Sequence, residues 1–231
     1  MLKNTQINRE VAKRIANALG EMNDRVVYVG GAVVSLYIDD PSADDVRPTK
    51  DIDISMKILS LRELEQIRQE LIKRGFSQSH EDNVICRFRY GDIKVDVMAT
   101  KQVGWAPGNE WFEEGFEHTI TKQIDEISIK LLSLPYFLAT KFSAFYDRGM
   151  SEPRVSNDFE DIVYILNHTS DVKDQILRAD KRAKNYLKKV FMHILENRIL
   201  QEAIMANLFY EQQIARFRKI MITIKEICDS I

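Results

Sequence analysis

The pair Asp51-Ile52-Asp53 has the residue type and spacing that most directly suggest chemistry. Apolar and polar residues alternate from Asp51 to Lys57, which predicts a β-strand with both carboxylates on one face. Two strand residues separate the backbone positions by roughly 7 Å, so both side chains could bind one hard cation. Since a lone Asp-x-Asp is also common on solvated strands, the motif needs support from its surroundings.

A third carboxylate, Asp96, lies in the apolar run Lys94–Met98, which predicts a later strand. Together, Asp51, Asp53 and Asp96 would form a cradle for Mg²⁺ or Mn²⁺, and we expect two ions. Two cations can activate an attacking oxygen and stabilise a leaving pyrophosphate.

Gly30-Gly31 follows the β-branched run Val26–Val29, so a strand is expected to end in a glycine turn. Two glycines let the backbone approach a phosphate closely, and amides at the start of a following helix could bind the same anion. A plain tight turn is the alternative. Ser35, one turn later, could add a hydroxyl to the site or simply pack.

A second group of candidates lies in the C-terminal half. Lys141 falls in an apolar helical segment, where it could contact a nucleotide phosphate or extend along the helix edge to solvent. Asp158 and Asp161 share one helix face. They could position a substrate, act as a base or pair with Arg148, or they could be acids that suit a helix N-terminus.

The elements that must position these residues change in character near residue 134. Before it, helical and strand patterns mix. The predicted helices cover 8–22 and 61–74, with one or two helical turns at 32–38, and the predicted strands cover 26–29, 51–57, 84–90, 93–98, 117–122 and 126–132. Gly91-Asp92 has the right length for a hairpin turn. Residues 39–48 and 104–115 are expected to be loops.

From Pro135 onward the pattern is helical, with predicted helices at 136–147, from Ser156 or Asn157 to about 167, and within 171–206 and 208–229. Asn157 with Glu160 fits a capping box. We therefore predict an α+β protein in which a mixed β-sheet with flanking helices is followed by a C-terminal helical bundle. Residues 1–134 would form the catalytic domain, and 135–231 a helical domain that completes the nucleotide and acceptor site.

The composition is ordinary for a globular protein, since 45% of the 231 residues are hydrophobic and 29% are charged. The net charge of −2 excludes a broadly basic nucleic-acid-binding protein, so any such partner must meet a local patch. Cys86 and Cys228 are far apart, which favours free thiols in a reducing compartment. Polar residues crowd the first ten positions and no apolar run reaches membrane-spanning length, so we expect neither a secretory signal nor a membrane span and predict a cytoplasmic location.

The motifs Tyr28–Ala32 and Arg47–Ile54 resemble the glycine and Asp-x-Asp motifs of the DNA-polymerase-beta-like nucleotidyltransferase superfamily. The later set Lys141, Arg148 and Asp158-x-x-Asp161 resembles further motifs of its AbiEii-type branch, the nucleotidyltransferase toxins of abortive-infection and toxin–antitoxin systems. The resemblance covers roughly residues 26–166. One departure is Ala32, where the family has Ser.

The resemblance implies roles for the candidate residues. Gly30 and Gly31 would hold the triphosphate of an NTP, and the Asp51 and Asp53 carboxylates would hold metal. Asp96 matches the third carboxylate of the superfamily. The remaining implied roles are a nucleotide contact for Lys141 and completion of the site by Asp161 and, with weaker support, by Asp158.

The function expected from these observations is metal-dependent transfer of NMP from an NTP to an acceptor, with release of pyrophosphate. The acceptor could be RNA such as a tRNA end, a protein, or a small molecule such as an antibiotic. A non-catalytic nucleotide-binding subunit is a further alternative, although all three carboxylates are present. The resemblance also implies a cognate antitoxin.

Two features bear on the acceptor. The segment 171–190 could bind a phosphate backbone or be a solvated helix face. Its basic residues are Lys173, Arg178, Lys181, Arg182, Lys184, Lys188 and Lys189, against three acidic residues. Trp105 and Trp111 could stack on a base or anchor the loop that carries them.

Overall fold

The structure, a computed structural model, describes residues 3–49, 51–79, 82 and 86–231. Its contacts divide the chain into two compact units. Unit 1 comprises residues up to Leu36 and Asp44–Ser133, and unit 2 comprises Tyr37–Ala43 and Leu134–Ile231. The short segment 37–43 therefore groups with the C-terminal half, which a linear division of the sequence does not anticipate.

Unit 1 is built on a six-stranded mixed sheet with the strand order β3-β4-β2-β1-β6-β5. The strands are β1 (Val26–Val29), β2 (Asp51–Met56), β3 (Arg87–Tyr90), β4 (Ile93–Ala99), β5 (Thr119–Ile124) and β6 (Ile127–Leu132). β2 pairs parallel with β4, β1 pairs parallel with β6, and the other neighbours are antiparallel. The predicted hairpin is confirmed, with Gly91 at φ +61° in the turn. Val84 and Ile85, placed in the first hairpin strand by the sequence, lie outside the described residues.

The helices of unit 1 are α1 (Lys3–Leu19), α2 (Leu61–Lys73) and the short α3 (Phe112–Gly115), which occupies a predicted loop. α1 ends before the predicted boundary because Gly20 adopts φ +53°, and residues Gly20–Arg25 continue as a 3₁₀ helix. α2 begins at a capping arrangement in which Ser60 Oγ accepts from the Glu63 amide and the Glu63 carboxylate accepts from the Leu59 amide.

Unit 2 is helical and consists of α4 (Leu134–Arg148), α5 (Asn157–His168), α6 (Val172–Arg178), α7 (Lys181–Glu196), α8 (Arg198–Ala206) and α9 (Gln213–Ser230), with the segment 37–43. α4 is buried along most of its length and packs against α5, α6 and α7. Ser156 is the N-cap of α5, so the expected capping box of Asn157 and Glu160 is wrong. The segment 37–43 is held by the His168 carbonyl, which accepts from the Asp39 and Asp40 amides, and by the stacked rings of Tyr37 and Phe137.

The mixed sheet with its helices and the helical C-terminal half confirm the predicted α+β class. Among the described residues, no helix is both long and apolar enough to cross a membrane.

Candidate active site

The glycine turn meets the Asp-x-Asp strand through the pairing of β1 with β2. In this antiparallel pair Val29 lies opposite Asp53, so the turn that begins at Gly30 lies next to Asp53. Gly30 has φ +77°, and a Cβ atom at this position would collide with the Asp53 carboxylate oxygen. Glycine is therefore required here both by the backbone conformation and by the space that the carboxylate occupies.

The segment after the turn differs from a regular α-helix. Gly31–Leu36 forms a six-residue 3₁₀ helix, so an anion at the turn would depend on the backbone amides of the turn itself. Ser35 lies inside this segment and is buried, and its hydroxyl has no hydrogen-bond partner among the described residues. Its position is thus that of a packed residue, and a contact between Ser35 and a nucleotide stays a prediction.

The three predicted metal-binding carboxylates lie on neighbouring strands. In the parallel pair of β2 and β4, Asp53 is directly opposite Asp96, and Asp51 is opposite Lys94. Adjacent strands are about 4.8 Å apart, and directly opposed residues point to the same face of the sheet. Asp51, Asp53 and Asp96 therefore share one face, with the Gly30 turn beside it.

Arg87 is a member of this group that the sequence reasoning missed. It lies opposite Asp96 in the β3–β4 hairpin, and its guanidinium donates to both carboxylate oxygens, with Nε–Oδ1 and Nη2–Oδ2 distances of 2.7 Å. The same Nη2 is 3.7 Å from Asp51 Oδ2. Hydrogen bonding to Asp96 raises the pKa of Arg87 above its ordinary value. The signal was available, because a two-residue turn at Gly91-Asp92 fixes the register that pairs Arg87 with Asp96.

Cys86 completes the immediate surroundings of the carboxylates. Burial, and then the nearby charge of Asp96, raises the pKa of its thiol to about 11. The thiol is therefore neutral near pH 7 and adds no further negative charge to the cluster.

The fit to a divalent cation can be tested on these residues. No group of three or more His, Cys, Asp and Glu side chains within the described ranges is arranged to hold a metal ion by itself. Mg²⁺, however, commonly takes one or two carboxylates and completes its octahedron with water and substrate phosphates. The adjacent oxygen donors of Asp51, Asp53 and Asp96 fit a site of that kind, which needs the substrate to complete it.

Unit 2 brings the other predicted residues together. Lys141 Nζ lies 2.7 Å from Asp161 Oδ2 and 3.2 Å from Asp158 Oδ1, between α4 and α5. Arg148 donates to the second oxygen of Asp158, with Nε at 2.9 Å. The side chains of Lys141, Asp158 and Asp161 are only 6%, 7% and 4% exposed. The alternative of a lysine that extends to solvent is therefore wrong, whereas the pairing of Asp158 with Arg148 is present; roles of these residues toward a nucleotide stay predictions.

The two tryptophans and the basic segment 171–190, which could contact the acceptor, differ in their surroundings. Trp111 is buried, so of the two alternatives for this side chain the structure shows the loop anchor. Trp105 is half-buried, and its ring centroid lies 5.8 Å from that of Phe88. The basic residues of 171–190 lie on α6 and α7.

Comparisons with known proteins agree with this architecture. The model of the family "Nucleotidyl transferase AbiEii toxin, Type IV TA system" matches residues 16–226. No curated protein matches the chain significantly. Among solved structures, an antigenic nucleotidyltransferase-like protein from Paracoccidioides brasiliensis superposes with a TM-score of 0.54 at 18% identity, covering 86% of this chain and 92% of that chain. JHP933 from Helicobacter pylori matches with a TM-score of 0.45 at 10% identity, covering 99% and 94% of the two chains.

The first of these structures shares the fold of the present chain. The family match extends across both units, from α1 to α9, and includes the glycine turn, the carboxylate strands and the buried Lys141 cluster. The chain therefore belongs to the AbiEii family of nucleotidyltransferase toxins of type IV toxin–antitoxin systems.

Proposed function

We propose that this chain transfers a nucleoside monophosphate from an NTP to an acceptor hydroxyl in a reaction that depends on Mg²⁺ or Mn²⁺. The observation that carries the proposal is the placement of Asp53, whose carboxylate lies against the Gly30 backbone and one strand away from Asp96. A glycine turn able to approach phosphate and a set of hard oxygen donors are thereby adjacent.

In this reaction the acceptor oxygen forms a bond to the α-phosphorus, the bond from that phosphorus to the β-phosphate oxygen breaks, and pyrophosphate leaves. The proton of the acceptor hydroxyl passes to solvent. The amides of the Gly30-Gly31 turn would bind the triphosphate, and Asp51 and Asp53, with Asp96, would hold the cations. When bound, the cations would neutralise charge on the phosphate oxygens and favour ionisation of the acceptor hydroxyl.

RNA is the acceptor class that we propose, with protein as the alternative. On α7, Lys181 and Lys189 are exposed and Lys188 is half-buried, and none of the three has an ion-pair partner within the described ranges. Lysines at positions 181 and 188 are two helical turns apart, about 10 Å along the axis. Such a row can contact successive backbone phosphates. In the cell, membership of a toxin–antitoxin family leads us to propose a cognate antitoxin that restrains the activity.

The test is a labelling experiment. The protein is incubated with each α-³²P-labelled NTP and Mg²⁺, in turn with total RNA, with RNA-free cell protein and with a metabolite extract. We expect label on RNA from one or more NTPs, and no label with Asp53→Asn or with chelator. Label on protein or on a small molecule would show that the acceptor belongs to that class and not to RNA. Equal labelling by wild type and Asp53→Asn would contradict the proposed chemistry.

A further inference from the structure

We propose that Arg87 is a gate on the cation site: it occupies Asp96 while the nucleotide is absent and moves to the triphosphate when the nucleotide binds. This inference rests on the proposed function. It starts from strand register, because Asp53 is opposite Asp96 on β4, and Asp96 is opposite Arg87 on β3. The three side chains form one row across adjacent strands on one face of the sheet.

The contact between Arg87 and Asp96 uses both oxygens of the carboxylate. The two Arg87 donors form the parallel, two-pronged geometry that is the strongest form of this ion pair. The side chains of Arg87 and Asp96 are 17% and 16% exposed, so solvent screens the pair only weakly. The guanidinium also approaches Asp51, the first carboxylate of the Asp-x-Asp pair.

This arrangement makes Arg87 a competitor of a divalent cation. A guanidinium that faces Asp96 and Asp51 offsets the repulsion among clustered carboxylates and therefore stabilises the cluster without metal. A cation that ligates Asp96 must bind an oxygen that already accepts from Arg87, and the two positive charges would repel each other at that distance. Metal binding without nucleotide is consequently weakened by Arg87.

The triphosphate removes this obstacle because it offers the guanidinium another partner. A planar guanidinium binds phosphate oxygens in the same two-pronged way as a carboxylate. Once Arg87 contacts phosphate, both oxygens of Asp96 become available to the cation. Arg87 would thus couple cation binding to nucleotide binding, so that the cation site is completed only when the substrate is present.

The chain offers a matched control on the same strand. Arg89 is two residues from Arg87 and therefore faces the same side of β3, and it binds both oxygens of Asp82 at 2.7 and 2.9 Å. Replacement of either arginine by Gln removes one positive charge from one two-pronged pair. The two-pronged pair of Arg87 is with Asp96 of the proposed cation site and that of Arg89 is with Asp82, so a difference between the variants reports on the contact with Asp96.

The experiment is a Mn²⁺ titration of the full chain without nucleotide, with free Mn²⁺ measured by electron paramagnetic resonance. We expect Arg87→Gln to bind Mn²⁺ at least about tenfold more tightly than wild type. This factor corresponds to the free energy of one charge-assisted contact, which Mn²⁺ no longer has to displace. Arg89→Gln should stay within about threefold of wild type. Arg87→Lys, which keeps the charge without the planar fork, should lie between Arg87→Gln and wild type. Thermal unfolding without metal checks that each variant is folded, and Arg87→Lys provides the test if Arg87→Gln is not.

A second titration includes a non-hydrolysable NTP analogue. The analogue should increase Mn²⁺ affinity in wild type by a larger factor than in Arg87→Gln, because the variant has no gate to open. Equal Mn²⁺ affinity in wild type, Arg87→Gln and Arg87→Lys would overturn the gate. If RNA labelling still required Asp53, the proposed function would stand without it. If the wild-type protein neither bound Mn²⁺, with or without the analogue, nor labelled any acceptor, both proposals would be overturned.

Discussion

Each unit of this protein contains a cluster of aspartates paired with basic side chains, and the two clusters differ in how far they are removed from solvent. In unit 1 the Asp51 side chain is 42% exposed and that of Asp96 is 16% exposed. In unit 2 the carboxylates of Asp158 and Asp161 are almost fully buried around Lys141. One cluster is open to ligands, and the other is enclosed by its own helices.

The difference lies in how each cluster compensates charge. In unit 2 the buried Lys141 holds both carboxylates and the exposed Arg148 also binds Asp158, so removing Lys141 would leave Asp161 as an almost fully buried carboxylate without this lysine. In unit 1 the carboxylates keep access to water, and a single arginine neutralises part of their charge. Under the proposed function, these solvent-accessible carboxylates would exchange a protein partner for a metal ion. The two clusters should therefore respond differently to the loss of one member.

The largest expected effect comes from Lys141→Ala. Removal of one partner of a buried ion pair costs about 3–5 kcal/mol, so we expect a fall of that size in the free energy of unfolding. Urea unfolding followed by circular dichroism measures it. Lys188→Ala on α7, which loses a half-buried lysine with no ion pair to any residue that the structure describes, is the control and should stay within about 0.5 kcal/mol. An unchanged midpoint for Lys141→Ala would remove the contrast between the clusters.

Asp51→Asn and Asp53→Asn test the open cluster. Each replacement removes a carboxylate that would contribute several kcal/mol to charge stabilisation by a bound cation, so we expect transfer to fall by about a hundredfold or more. The urea midpoint should move little, in contrast to Lys141→Ala, because neither side chain is deeply buried. NTP-dependent labelling measures the rate. A variant that lost stability in proportion to its activity would show that this cluster too is structural.

Gly30→Ala should separate backbone strain from damage to the site. A side chain at positive φ costs about 1–2 kcal/mol, and the new methyl group would displace the Asp53 carboxylate. A shift of about 1 Å in a reacting group can cost on the order of a hundredfold in rate. Gly91→Ala is the matched control, since Gly91 also has positive φ. A Cβ atom added there would have ordinary van der Waals contact with Arg14 Nη2, at 3.7 Å, and would meet no carboxylate among the described residues outside the turn. It should lose similar stability and retain transfer; equal rates in the two variants would argue against the proposed role of the turn.

The smallest effect concerns Asp40, whose surroundings in unit 2 are intermediate between the two clusters. Hydrogen bonds from Ser42, and then from His168, with a further contact from Arg216, hold the pKa of Asp40 well below its usual range. A lowered folded-state pKa contributes stability that is present above the unfolded pKa of about 4 and is lost as the pH falls through the folded value.

Asp40→Asn should therefore reduce the free energy of unfolding by about 1–2 kcal/mol near pH 7, with the difference from wild type shrinking below about pH 4. Unfolding midpoints measured from pH 7 to pH 3 give this comparison. A difference that stayed constant with pH would show that the charge of Asp40 makes no contribution.

Local patterns in the sequence identified most elements of the fold. The alternation in β2 and the two-residue turn before β4 specify their structures through near neighbours, and the structure has strands at Asp51–Met56 and Ile93–Ala99. The apolar spacing up to Met22 predicts a longer α1, but Gly20 at positive φ ends the helix at Leu19. The 3₁₀ form of Gly31–Leu36 was also not predicted, since a short helical pattern does not distinguish 3₁₀ from α-helix.

By itself the sequence determined the α+β class, the candidate motifs and their order, because periodicity and turn chemistry act over a few residues. Only the tertiary structure decided that Asp53 stands against Gly30 and opposite Asp96, and that Lys141 is enclosed by Asp158 and Asp161. These placements depend on strand order and helix packing between segments far apart in the chain. The contacts that separate an open carboxylate cluster from an enclosed one therefore arise only when the chain has folded.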